Sequence, residues 1–193
     1  MSDGGGVLLI HGGLYEAWMP RVSGSTPALW TLFGVEASSW SHPIGWHVRR
    51  SWAVDAADLA RRLPDETFDV VAGSNGCSTA LRLAIDVPHR VDRLVLCWPA
   101  TQGQLDNRLR DVIERDGPPG AATTLLAGGT LRGVADAELS ALTCPLAVLP
   151  SEPENPIHLR RTVDEFIAVV PGSLRLPGTL SLRGRRDTAR DRR

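Results

Sequence analysis

An α/β fold, a mostly parallel sheet flanked by helices, is predicted by three features of the sequence. Several strand-length apolar runs are unbroken rather than alternating, amphipathic stretches separate them, and a Gly-Ser-Asn-Gly turn joins one run to the next helix. Unbroken apolarity marks a strand buried on both faces, the condition of a parallel sheet covered by helices. Strands and helices in alternation imply right-handed crossovers with helices on both sides.

The elements follow in order. Val7-Leu8-Leu9-Ile10, ending at His11-Gly12-Gly13, reads as the first strand. Residues 52–63 place Val54, Leu59 and Leu63 at helical spacing, with Asp55, Asp58, Arg61 and Arg62 outside. Phe68 to Ala72 is a second strand, Gly73 to Gly76 a turn, and Cys77 to Ile85 a helix, which Pro88 terminates. Leu94 to Cys97 is a third strand. Residues 103–142 read as helices broken at Pro118, Pro119, Gly120 and the pair Gly128-Gly129. Pro145 to Leu149 is a fourth strand. His158 to Val170 is a helix presenting Leu159, Val163, Phe166, Ile167 and Val170 on one face, and Leu174 to Leu176 is a last short strand.

Composition bounds the function. The 193 residues suit one domain, with 42% hydrophobic and 22% charged residues. A net charge of -1 does not argue for a nucleic-acid or membrane partner. Every one of the 21 basic residues is Arg. Cys77, Cys97 and Cys144 are widely spaced with no CxxC pair, so reduced thiols in a cytoplasmic protein are expected, with no metal. Met1 to Gly6 is not followed by the pattern of a signal peptide. Gly4-Gly5-Gly6 precedes a strand instead of opening a helix, so no phosphate loop and no nucleotide cofactor are expected.

Two stretches break the pattern. Residues 18–49 hold Trp18, Trp30, Trp40 and Trp46 and no sustained period, where the fold needs a strand and a helix. Residues 179–193 form an Arg-rich tail, read as a solvated end. A reading frame shifted over both segments would account for them together, and sequencing the gene decides it.

Chemistry concentrates at Val70-Val71-Ala72-Gly73-Ser74-Asn75-Gly76-Cys77, a small-x-Ser-x-Gly pattern between strand and helix. A tight strand-to-helix turn lifts the serine hydroxyl clear of the sheet, small neighbours leave room, and the helix N-terminus favours developing negative charge. An ordinary Gly-Ser-Asn-Gly turn is the alternative.

With the blocks Leu8 to Gly13 (LLIHGG), Val70 to Ala100 and Cys144 to Pro156 (CPLAVLPSEPENP), this motif resembles the α/β-hydrolase family. The blocks occur in family order over about two fifths of the chain. The resemblance implies an α/β-hydrolase core over residues 1–178, a short helical cap at about 101–142, and a sheet truncated at its C-terminus. It implies Ser74 as nucleophile, the amides of Asn75 and Gly13 as oxyanion donors, and His11 as a structural residue. The acid falls to Glu154, with Glu152 as runner-up. A solvent-exposed loop carboxylate is the alternative reading of either Glu. Leu125, Leu126, Leu131 and Leu139 in the cap either line an apolar pocket or pack ordinary helices, and packing is favoured.

The base is the departure. The family places a His after the last strand, and here Pro177-Gly178-Thr179 stands there, with no His after His158. His158 is the remaining possible base, although its place at the head of a helix suggests a surface or capping role. His42, His47 and His89 match no family position. The resulting expectation is a serine hydrolase acting on an ester, thioester or related small-molecule acyl substrate. Against it stands a catalytically incomplete hydrolase-like protein that binds a ligand or partner, or a lyase or cyclase on the same fold. Oligomeric state is not legible.

Overall fold

A computed structural model of the protein describes residues 6–12, 40–41, 51–101 and 107–177. Gly13, most of 18–49 and the tail 179–193 lie outside the described residues. The strands are β1 (Gly6–Gly12), β2 (Trp40–Ser41), β3 (Phe68–Ser74), β4 (Val91–Cys97), β5 (Leu146–Leu149) and β6 (Leu174–Arg175). They form one sheet in the order β2-β1-β3-β4-β5-β6. Every pairing between these six strands is parallel.

Register explains the core. Leu8, Val70, Leu94 and Leu146 face one another across four strands, as do Ile10, Ala72, Leu96 and Val148. All eight are buried. The alternate residues Val71, Val95 and Ala147 are only half-buried, so burial on both faces holds for Leu8-Leu9-Ile10 but not across the whole sheet.

Helix α1 (Trp52–Arg62) is capped by Ser51, whose side chain accepts a hydrogen bond from the Val54 amide at 3.1 Å. It buries Trp52, Ala56 and Leu59, with Leu63 just beyond its end. Val54, expected on the apolar face, is 51% exposed. The buried stripe runs in steps of four, three and four from Trp52, and Val54 lies two residues off it, on the far side of the helix. Helix α2 (Gly76–Asp86) is buried nearly all round through Cys77, Ala80, Leu81, Leu83 and Ala84, as befits a helix seated on β1, β3 and β4.

Between β4 and β5 lie α3 (Asn107–Asp116), α4 (Ala121–Leu125) and α5 (Asp136–Leu139). Leu125 and Leu126 pack with Trp52 and Ile113 in a small second cluster, whereas Leu131 and Leu139 join the main core. All four leucines are packing residues, the reading the sequence favoured. Helix α6 (Arg160–Val169) buries Thr162, Val163 and Phe166. It starts after His158, which therefore sits in the preceding turn and not at the head of the helix.

Candidate active site

The site begins where β3 ends. Ser74 pairs with Gly12 at the end of the ladder and has φ 55, a left-handed backbone. For a residue with a Cβ this costs about 1–2 kcal/mol, so the surroundings must hold it. Gly73 does so by admitting Trp98: a Cβ at position 73 would come 3.2 Å from the indole Cζ3. Ala72 is buried at 1% exposure, where a larger side chain would collide with the core. Asn75 is the N-cap of α2, so the positive end of that helix dipole starts beside Ser74.

The Ser74 hydroxyl is half-buried and lies 2.8 Å from Nε2 of His158, 84 residues along the chain. His158 is placed by the turn Asn155-Pro156-Ile157-His158. Asn155 Oδ1 accepts from the amides of Ile157 at 3.0 Å and His158 at 3.1 Å, an Asn-Pro turn of the usual side-chain-closed kind. Asn155 Nδ2 lies 3.2 Å from Nδ1 of the same imidazole.

Thr101 grips this turn from the other side. Its amide donates to the Ile157 carbonyl at 2.7 Å, and its hydroxyl accepts from the Leu159 amide at 3.0 Å and meets the Thr162 hydroxyl at 3.0 Å. The residues on either side of His158 are thus bonded to one buried threonine. The Thr101 carbonyl in turn accepts from Nε of Arg132 at 2.6 Å, and Nη1 of Arg132 reaches Asn75 Oδ1 at 3.3 Å. Arg132 is 1% exposed. Its guanidinium therefore ties the elbow residue after Ser74 to the threonine that seats His158. Burial, and secondly the Arg132 cation, push the His158 pKa down to about 4, so the imidazole is neutral near pH 7.

The carboxylates do not join this group. Glu154 Oε2 accepts from the Arg160 amide at 2.8 Å, at the start of α6, and Glu152 pairs with the Arg160 guanidinium at 3.0 Å. The side chain that meets Nδ1 of His158 is Asn155. His89 is exposed on the 3-10 turn Pro88–Arg90, outside this hydrogen-bonded group. His42, His47 and the Gly13 amide lie outside the described residues, as does the side chain of His11. Behind the elbow, burial pushes the Cys97 thiol up to about 12 and Cys77 well above its ordinary range, which leaves both as unreactive thiols. Among the described residues no cluster of His, Cys, Asp and Glu could hold a metal, and no helix is long and apolar enough to cross a membrane.

Asn155, Thr101 and Arg132 were not singled out from the sequence. The Asn-Pro pair three residues before a His was the one available signal, because it marks a turn that brings side chain and ring together. A buried arginine leaves no trace in a chain whose basic residues are all Arg.

No family profile matches the chain, and no curated protein matches it either. Solved structures do. An α/β hydrolase from Sphaerobacter thermophilus is 18% identical, with 91% of this chain and 86% of that one covered at a TM-score of 0.54. A carboxylesterase from Bacillus subtilis is 17% identical, with coverage of 93% and 77% and a TM-score of 0.58. N-formylmaleamic acid deformylase from Pseudomonas putida is 16% identical, with coverage of 90% and 84% and a TM-score of 0.59. Parallel sheet, elbow and matched structures agree: the chain has the fold of the α/β-hydrolase family.

Proposed function

We propose that this protein is a serine hydrolase of small acyl substrates, with Ser74 as nucleophile and His158 as its proton partner. The observation that carries the reading is the 2.8 Å approach of Ser74 Oγ to His158 Nε2 at a left-handed elbow. In the acylation step Oγ attacks the acyl carbon, its proton passes to Nε2 of the ring in its Nδ1–H tautomer, and the leaving group departs with that proton. The tetrahedral oxyanion falls to the amides of Asn75 and Gly13, with the α2 dipole adding to them. Glu154 serves as a helix-capping carboxylate in this scheme, and helices α3, α4 and α5 take the part of the cap. Three free cysteines fit a reducing, cytoplasmic setting.

A fluorophosphonate probe tests it. The wild-type chain takes the label and Ser74→Ala does not; equal labelling of the two proteins overturns the reading. A second reading, a ligand-binding protein with an incomplete triad, draws support from Asn155 standing where a carboxylate would orient the base. It expects no Ser74-dependent turnover of p-nitrophenyl esters together with saturable binding of an apolar ligand.

A further inference from the structure

We propose that Asn155 is a positioning residue that holds the His158 proton on Nε2, so that the imidazole donates to Ser74 instead of accepting from it. The inference rests on the Ser74–His158 pairing of the proposed function and concerns how that pair is set at rest.

Donors and acceptors decide which ring nitrogen carries the proton. Asn155 Oδ1 already accepts two backbone amides, those of Ile157 and His158. Turning the amide over would set both N–H groups against an NH2 group, so Nδ2 must be the atom that faces Nδ1 at 3.2 Å. An amide nitrogen only donates. Nδ1 therefore accepts, and in a neutral imidazole the single proton is then on Nε2. At 2.8 Å Nε2–H donates to Ser74 Oγ, which leaves no lone pair to take the serine proton. Glu152 and Glu154, which could have reversed this, are committed to Arg160. In serine-protease triads an amide in the carboxylate's place likewise orients the ring in the wrong tautomer, at a cost of about 10⁴ in rate. Ser74 is thus aligned but unactivated.

Asn155→Asp is the isosteric test. One carboxylate oxygen keeps the two turn amides while the other accepts from Nδ1–H, and this frees Nε2. With a fluorophosphonate, the Oγ–P bond forms, the P–F bond breaks, fluoride leaves and the serine proton ends on Nε2.

Long-range 15N–1H correlation spectra of the His158 ring at neutral pH, assigned with His158→Gln, read the tautomer directly. Labelling rates are measured on the same samples. The expected result is a proton on Nε2 in the wild type, on Nδ1 in Asn155→Asp, and at least about a ten-fold faster Ser74-dependent labelling in the variant. A wild-type proton on Nδ1 overturns the inference without need of any variant. So does a proton that stays on Nε2 in Asn155→Asp, or a tautomer that moves while both proteins take the label at the same rate. A tautomer that moves while neither protein labels upholds the role of Asn155 and rejects the hydrolase reading instead.

Discussion

Acidification should act on this fold through His158, with Arg132 adding to the effect of burial. The pKa of about 4 in the folded chain stands against 6.5 for an ordinary histidine. As pH falls, the unfolded chain binds the proton first, so this contribution to stability is complete above about 6.5 and is lost as pH drops toward 4. The gap of about 2.5 pH units corresponds to roughly 3 kcal/mol. Burial is the larger cause and the Arg132 cation the smaller. Arg132→Met keeps an unbranched chain and removes the charge, so His158 should then titrate higher. Because burial, the larger cause, remains, the variant's value should still lie below that of an ordinary histidine. Following the ring Cε1–H resonance against pH in wild type and Arg132→Met measures this. Urea unfolding from pH 7 to pH 4, with His158→Gln as the reference lacking the group, measures the stability limb. A wild-type value near 6.5, or an Arg132→Met value unchanged or lower, would refute the link between the buried guanidinium and the imidazole.

Further outcomes follow from the same geometry. Ser74→Ala keeps the left-handed strain and Ser74→Gly releases it, while both lose the bond to His158. Ser74→Gly should therefore be the more stable of the two by about 0.5–1 kcal/mol in urea unfolding, after allowing for the extra chain entropy of glycine. Glu154→Ala should cost about 1 kcal/mol through loss of the bond to the Arg160 amide, while Ser74 labelling stays within a few-fold; a loss of about 10³ or more would restore Glu154 as the acid. Gly133→Ala should destabilise by about 3 kcal/mol or more. Its Cβ would fall 1.7 Å from Trp52 Cδ1 at φ +69, and moving the indole breaks its 2.9 Å bond to the Leu125 carbonyl. A thermal melt within a few degrees of wild type would show that the loop yields more easily than this.

What the sequence determined by itself was the frame of the site. Leu8-Leu9-Ile10, Phe68 to Ala72 and Leu94 to Cys97 are short, mainly apolar stretches that mark strands by residue type, and Gly73-Ser74-Asn75-Gly76 marks its turn in the same way. Val54 was misplaced because an apolar residue two positions off the Trp52 stripe looks equally suited to the core until the neighbouring helix is known. The tertiary structure decided the chemistry around Ser74. Whether a histidine on the β5–α6 turn reaches a serine at the end of β3 depends on the lateral order β3-β4-β5, on Thr101 bonding to both sides of that turn, and on a buried Arg132. None of these is a local pattern. They are pairings between segments far apart in the chain, chosen by which polar groups must find partners once water is excluded.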